Sequence, residues 1–497
     1  MSASTYMDEA GNLVVPSLID GKPVIQPSTR NFPVYVAAEE RVLHHGQTAT
    51  PELAARAIAS AGQVFKTYKR TPVDERYHML LRAADILERK VEEGANRQSA
   101  ETSAAKTFSL FNAKQLPKIC REIAGAMKTT LAGEITPTLT GNHQMVFKEP
   151  VGAVLLIMPW NGALALPCRG LSAALAAGCT VVLKASELCP WTHYFLVETF
   201  LEAGFPPGSV NMIMSERTEA PAVTEAIISH PSLAKIEFIG SAPVGKQIGA
   251  VAAKYLKPVI MELGDQSPLI VLDDADLEKA ARDAIAGCIA CHGQLCFGTE
   301  RIIVQRGIKE KFYELLRAAL ANAPPTGAAV TKFFAERAKG WVDEAVQKGA
   351  EFLAGKSEWT GPASFTPSVL INLPKDCYLY DNEGFCPTMF VVEVDTDEEA
   401  ILEANSRDGG LSASVYTTNW ERGLNMSKSL DFGNVQINLQ TNQVEATGPV
   451  TGWKSSGYGS GFGRYSIEEF IHLKTVAFGP TSINQLSNSQ QGYERMN

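Results

Sequence analysis

Several features that would fix a class of function are missing from these 497 residues. No apolar run approaches the ~20 residues that a membrane-spanning helix needs. The longest, around Val151 to Met158, has the length of a strand. Lysine and arginine never form a block and the formal charge is -9, so a nucleic-acid surface is not expected. The residues from Met1 to Glu9 carry no basic and apolar leader, and those from Gln491 to Asn497 carry no address or lipidation signal. The nine cysteines are an odd number scattered through apolar contexts, the pattern of free thiols in a reducing cytoplasm rather than of a disulfide framework. Also missing is the regular dinucleotide loop with three spaced glycines after a first strand. What remains is an ordinary soluble composition in a chain long enough for about two to four domains.

Residues 1 to about 50 read as a surface-wrapping β segment. Thr50-Pro51-Glu52 opens a helix with a capping residue and a proline at the first position. Amphipathic helices are expected from Leu53 to Tyr68, Asp74 to Glu93 and Leu110 to Met127, and a β-ribbon outside the first domain from Lys128 to Phe147, turning at Gly141-Asn142. From Glu149 to Gly264, apolar strands (Val151–Ile157, Cys179–Leu183, Val210–Ile213, Lys235–Ile239, Pro258–Met261) alternate with helices, the pattern of a parallel sheet covered on both faces. Such a sheet binds ligands at the carboxyl ends of its strands. The residues standing there are Trp160-Asn161, Lys184 to Glu187, Gly240-Ser241 and Glu262 to Gly264. Gly240-Ser241 leads into a helix whose N-H groups suit a phosphate, although such a pair can equally be a tight turn; Lys184 and Glu187 suit ribose hydroxyls. A second α/β unit follows Gly264. Gly457 to Gly463 reads as a flexible loop, and the Ser, Asn and Gln-rich tail from about Ser482 either pairs with a neighbour or is disordered.

Between the Ala-rich helical run Asp276 to Ile289 and the strand Arg301 to Gln305 lie Cys288, Cys291, His292 and Cys296. Cys288-Ile-Ala-Cys291-His292 has the spacing that attaches c-type haem, and Cys296 would add a soft metal ligand. Haem attachment requires export, and no second cysteine pair at metal-ligand spacing exists, so neither is expected. Cys288 and Cys291 read as small buried hydrophobes on the helix. Cys296, after Gly293-Gln294, reads as a thiol offered to a substrate.

Over nearly its full length the chain resembles the aldehyde dehydrogenase superfamily. The matching stretches are Glu149 to Gly152, Pro159-Trp-Asn161, Val181 to Glu187, Phe238-Ile-Gly-Ser241, Met261-Glu-Leu-Gly264, Gly293-Gln-Leu-Cys296, Asn382-Glu-Gly-Phe385 and Ser456-Gly-Tyr-Gly459. Lys184 to Pro190, Gly293 to Arg301 and Arg169 look like its vanillin- and salicylaldehyde-dehydrogenase-like members. The resemblance implies an α/β fold with a Rossmann-like cofactor domain (1–127 and 148–262), a catalytic domain (263–450), an oligomerisation segment (128–147 and 476–497) and a C-terminal loop and helix (451–475). It implies Cys296 as nucleophile, Glu262 as general base and Asn161 as oxyanion donor. Trp160, Lys184, Ser186, Glu187, Gly240, Ser241, Leu263, Gly264, Glu383 and Phe385 would hold NAD, with Glu187 disfavouring the 2′-phosphate of NADP. Leu166, Arg169, Phe297 and Val450 would face the substrate, with Arg169 holding a polar or acidic group on an aromatic or unsaturated aldehyde. A homodimer or homotetramer is expected. Asp265, Gln266, Cys291, Cys386 and Val450-Thr451 depart from the family pattern. The rival readings are a semialdehyde or CoA-acylating dehydrogenase, and a dehydrogenase-fold protein kept for binding alone.

Overall fold

The computed structural model describes residues 6–8, 11–139 and 142–479, so Gly141 of the expected turn and the tail from Ser482 lie outside the described residues. An eight-stranded sheet forms the first layer, in the order 457–458, 259–262, 233–239, 153–157, 180–185, 210–214, 17–19, 22–24. Its five central strands are parallel. From Ala153–Ile157 the chain winds outward through Thr180–Ala185 to Val210–Met214, then returns to Leu233–Ile239 on the other side. This reversal opens a crevice at the carboxyl ends of Ala153–Ile157 and Leu233–Ile239, where an open α/β sheet binds ligands. The central strands are apolar on both faces because helices cover both.

A seven-stranded sheet runs 351–355, 368–371, 388–394, 299–305, 267–271, 412–416, 434–437. All its pairs are parallel except that of the edge strand Glu351–Gly355. A separate antiparallel ribbon pairs Ile471–Phe478 with His143–Pro150, and the latter with Glu134–Thr136. Local signals set the helix starts where they were read: the Thr50 hydroxyl accepts from Leu53 N-H at 3.2 Å, ahead of Pro51.

The structure differs from the sequence reading in several places. The helix expected from Asp74 to Glu93 breaks at Lys90, whose N-H reaches the carbonyls of both Ile86 and Leu87. A new helix, Val91–Thr102, starts after the non-helical Lys90, and Gly94 lets it press on Phe195, which a Cβ would meet at 3.1 Å. The helix Lys332–Gln347 was not anticipated. Residues 17–24 do not merely wrap the surface; they add an edge hairpin to the first sheet. The ribbon's last strand spans Ile471–Phe478. Gly457 to Gly463 is not a flexible loop. Gly457–Tyr458 is an edge strand on Val259–Glu262, Ser460–Gly461 pairs with Val450–Thr451, and Gly463 starts a short helix. Gly457, at φ 110°, lies so close to the Met261 carbonyl that a Cβ would sit 2.1 Å from its oxygen. The glycines here permit close strand approach instead of mobility.

Candidate active site

The helix Leu277–Ile289, capped by Asp276, ends in a tight reversal: Cys291, His292 and Gly293 are all left-handed, at φ 53°, 55° and 73°. Gly293 is obligatory, since a Cβ would lie 2.0 Å from the carbonyl carbon of Cys386. Gln294 braces the loop after it. Its amide donates to the carbonyls of Cys291 (2.9 Å) and Ala328 (3.3 Å), and its side-chain oxygen accepts from Val330 N-H. The Gln294 carbonyl accepts from the Asn161 amide at 3.0 Å, which ties the oxyanion candidate to the loop that presents Cys296. All nine cysteines are free, and Cys296 is the single one not buried. Cys288 and Cys291 pack as hydrophobes, and His292 hydrogen-bonds Thr326. Among the described residues no three His, Cys, Asp or Glu side chains converge as a metal would require.

The immediate surroundings push the Cys296 thiol well above the usual range: desolvation first, then the carboxylates of Glu262 and Glu383, opposed by its own backbone N-H and by Arg169. Glu262, Glu383 and Arg169 are thus near enough for their charges to act on the sulfur. A raised thiol is protonated at neutral pH and becomes a thiolate only as pH rises. Iodoacetamide labelling should therefore fall on Cys296 alone and should still be accelerating above pH 8.5, the ordinary thiol value. A labelling rate already flat at pH 7 would contradict this.

Glu262 ends the strand Val259–Glu262. Its Oε2 accepts from Arg169 Nη1 at 2.8 Å, while Oε1 has no partner among the described residues. Arg169 is 2% exposed, and its Nη2 donates to Glu237 Oε1 at 3.0 Å. The guanidinium also lies over the Phe462 ring, 5.0 Å from its centroid. Arg169 thus departs from its expected place facing the substrate: both Nη groups are taken by the protein's own carboxylates. Sequence reasoning missed Glu237, which sits inside an apolar strand where nothing local marks it. Val450 and Phe462 belong to the large core of the first layer, and Leu166, Phe297, Val444 and Ala446 are partly buried against it.

On the crevice side, Ser241 precedes the thirteen-residue helix Ala242–Lys254 and no side chain among the described residues caps it, so its hydroxyl and the N-H groups of the first turn other than at Pro243 are available. Gly245 lets this helix close on Leu263, which a Cβ would meet at 2.7 Å. Lys184 is buried, and burial lowers its ammonium while Glu187 raises it. Among the described residues its ammonium makes no hydrogen bond or ion pair, although Ser186 N-H is held by His193 and Ser186 Oγ by Leu188 N-H. A buried cation lacking an acceptor, beside an uncapped helix start, fits a ligand rich in hydroxyls and phosphate. Gly240 turns the chain over Phe238, which a Cβ would meet at 2.7 Å. Trp160 packs edge-on against Phe385 at 5.9 Å.

Gly384 and Phe385 N-H groups both donate to Glu300 at 2.8 Å, an anchor the sequence did not reveal. Burial lifts Glu300 to about 8, and burial together with Glu300 lifts Glu383. Glu383 leans on Gly264, where a Cβ would lie 2.2 Å from its Oε2. The departures at 265 and 266 have structural duties. Asp265 accepts from the N-H groups of Leu411 and Ser412 (2.8 and 3.0 Å). The Gln266 amide holds the carbonyls of Leu379 and Asn382 (2.7 and 2.9 Å), just ahead of Glu383. Nothing in the structure explains cysteine at 291 or 386.

Known proteins give the same picture. The pattern described as "Aldehyde dehydrogenase family" matches residues 24–476. A vanillin dehydrogenase of Pseudomonas sp. (strain HR199 / DSM 7063) is 36% identical over 478 residues, covering 94% of this chain and 98% of the relative. The crystal structure of a salicylaldehyde dehydrogenase from Pseudomonas putida G7, complexed with salicylaldehyde, superposes with a TM-score of 0.91 at 32% identity, covering 94% of this chain and 99% of that one. An NAD+ complex of an aldehyde dehydrogenase from Bacillus cereus gives a TM-score of 0.89 at 31% identity, covering 93% and 96%. Matched in this way along almost all its length and in its fold, the chain belongs to the aldehyde dehydrogenase family.

Proposed function

We propose that the protein oxidises an aromatic aldehyde to its carboxylic acid with NAD, through a thioester on Cys296. The observation that carries this reading is the one thiol that is not buried, on a loop whose Gln294 carbonyl accepts from the Asn161 amide, with the Glu262 carboxylate at a strand end near enough to act on its charge. Once its S–H proton has passed to solvent water, the Cys296 thiolate adds to the carbonyl carbon while the C=O π pair moves onto oxygen, giving a thiohemiacetal whose oxyanion the Asn161 amide would stabilise. Lys184, Ser186, Glu187, Gly240, Ser241, Leu263, Gly264, Glu383, Phe385 and Trp160 would hold the dinucleotide. Bound there, it would supply the acceptor for the hydride, with its electron pair, from the thiohemiacetal carbon. Cys296 is left carrying a thioester. Glu262 takes a proton from water as the water oxygen adds to the acyl carbon; the C–S bond then breaks, its pair returns to sulfur, and the acid departs.

The partly buried apolar side chains of Leu166 and Phe297 are compatible with an aromatic body for the substrate, and the names of the relatives support it. A carboxylate-bearing semialdehyde would have to displace Glu262 or Glu237 from Arg169. Vanillin- or salicylaldehyde-like substrates should therefore exceed succinic semialdehyde in kcat/KM by about 100-fold, the equivalent of ~2.7 kcal/mol for a buried ion pair broken to admit a rival. An aldehyde panel followed by NADH absorbance tests this, and equal values would overturn it. Glu187, half-buried beyond the strand Thr180–Ala185, would repel a 2′-phosphate, so NAD should outperform NADP in the same panel.

Exposed Ile135, Phe147, Leu473 and Val476 on the ribbon support a homodimer or homotetramer built through it. Free thiols throughout, even Cys120 and Cys168 with sulfurs 3.7 Å apart, support a cytoplasmic setting. No helix among the described residues is long and apolar enough to cross a membrane.

A further inference from the structure

We propose that Glu237 is a positioning residue for the general base: by occupying Nη2 of Arg169, it restricts Glu262 to a one-point grip from which the carboxylate can swing toward the acyl carbon on Cys296. This rests on the reading of Glu262 and Cys296 given above.

A carboxylate alone with a guanidinium prefers the forked, two-bond geometry. Here Glu237 Oε1 takes one Nη at 3.0 Å, and Glu262 holds the other through Oε2 at 2.8 Å. Among the described residues, Glu262 Oε1, Glu237 Oε2 and Arg169 Nε are all buried without partners, so the cluster is incompletely paired although all three residues are at most 6% exposed. Two glycines carve its chamber. At Gly170 a Cβ would lie 2.8 Å from Glu237 Oε2, and at Gly461 one would lie 2.6 Å from Arg169 Nη1. Any larger residue would push one partner out.

The charged and titratable groups facing the cluster come from every packed element. Arg169 lies on the helix Ala165–Ala177, Glu237 on Leu233–Ile239 and Glu262 on Val259–Glu262, with Cys296 on its loop and Glu383 beyond it. Glu469, itself paired with Lys235, adds a negative charge near Glu237 from the C-terminal side. Burial is the main influence raising the Glu237 carboxyl; Glu262 and Glu469 add to it and Arg169 opposes it. With Glu237 made neutral, the whole guanidinium charge falls on Glu262 and one repelling carboxylate is gone. The base is then held more tightly as a carboxylate and leaves it less readily.

The test is Glu237→Gln in the full chain, with an aromatic aldehyde and NAD, by stopped-flow and steady-state kinetics. Expected are an intact burst of one NADH per active subunit, a kcat per burst site about tenfold lower, and an acid limb of kcat about one pH unit lower. Glu237→Asp, which keeps the buried charge and guards against a misfolded variant, should fall between wild type and Glu237→Gln in both kcat and acid limb. A wild-type acid limb in either variant, a kcat per burst site unchanged from wild type, or loss of the burst itself would overturn the proposal. Absence of NADH formation by the wild-type protein would overturn the catalytic reading beneath it, a failure visible before any variant is made.

Discussion

Changing Cys296 to alanine is expected to lower kcat by about 10⁴-fold or more, because covalent catalysis then has no nucleophile and the oxyanion donor has nothing to stabilise. No other thiol can take its place. The remaining eight are buried, where a substrate carbonyl does not reach them. The Asn161 amide and the Ser241 helix start stand on other elements, so NAD binding, followed by quenching of tryptophan fluorescence, should be little changed. Residual turnover within tenfold of wild type would remove Cys296 from the mechanism.

The second large effect is expected from Glu262→Gln, and it should divide the reaction in two. Hydride transfer precedes the need for an activated water, so one NADH per subunit should still appear rapidly, while steady-state turnover falls by about 10² to 10⁴-fold as the thioester waits. Removing this carboxylate also removes one of the groups that raise the Cys296 thiol. The thiolate fraction at neutral pH should then increase, and iodoacetamide should label Cys296 faster in the variant than in wild type. Loss of the burst would show that Glu262 is needed to deprotonate the thiol and would shift its role to the first step. Denaturing mass spectrometry during turnover should find the acyl adduct on Cys296 in this variant and not in wild type.

Much of the scaffold could be read from local pattern. The alternation of apolar strands with helices from Glu149 to Gly264 marked the parallel layer, and Thr50-Pro51 marked a helix start, because these signals lie within a few residues of what they specify. The misreadings share a cause. Lys90 interrupts a continuous apolar rhythm only because Val91–Thr102 docks against Phe195, about a hundred residues onward. Gly457 to Gly463 looked flexible by composition, yet a strand some two hundred residues earlier holds it in an edge pairing beside Glu262. Asp265 and Gln266, which stood out as departures, proved to be braces for the segments at 411–412 and 379–382.

The sequence by itself determined the class of fold, the family and the residue types able to form and break a thioester, since periodicity and short motifs are written in neighbouring positions. Only the tertiary structure decided the partners of Arg169. One carboxylate lies 68 positions away and the other 93, and both are brought to a single guanidinium by the register of adjacent parallel strands. A side chain that looked from sequence like a hand held out to substrate is spent inside the protein. Buried charge must find its counter-charge wherever folding places it, and that choice is made by packing in three dimensions, not by spacing along the chain.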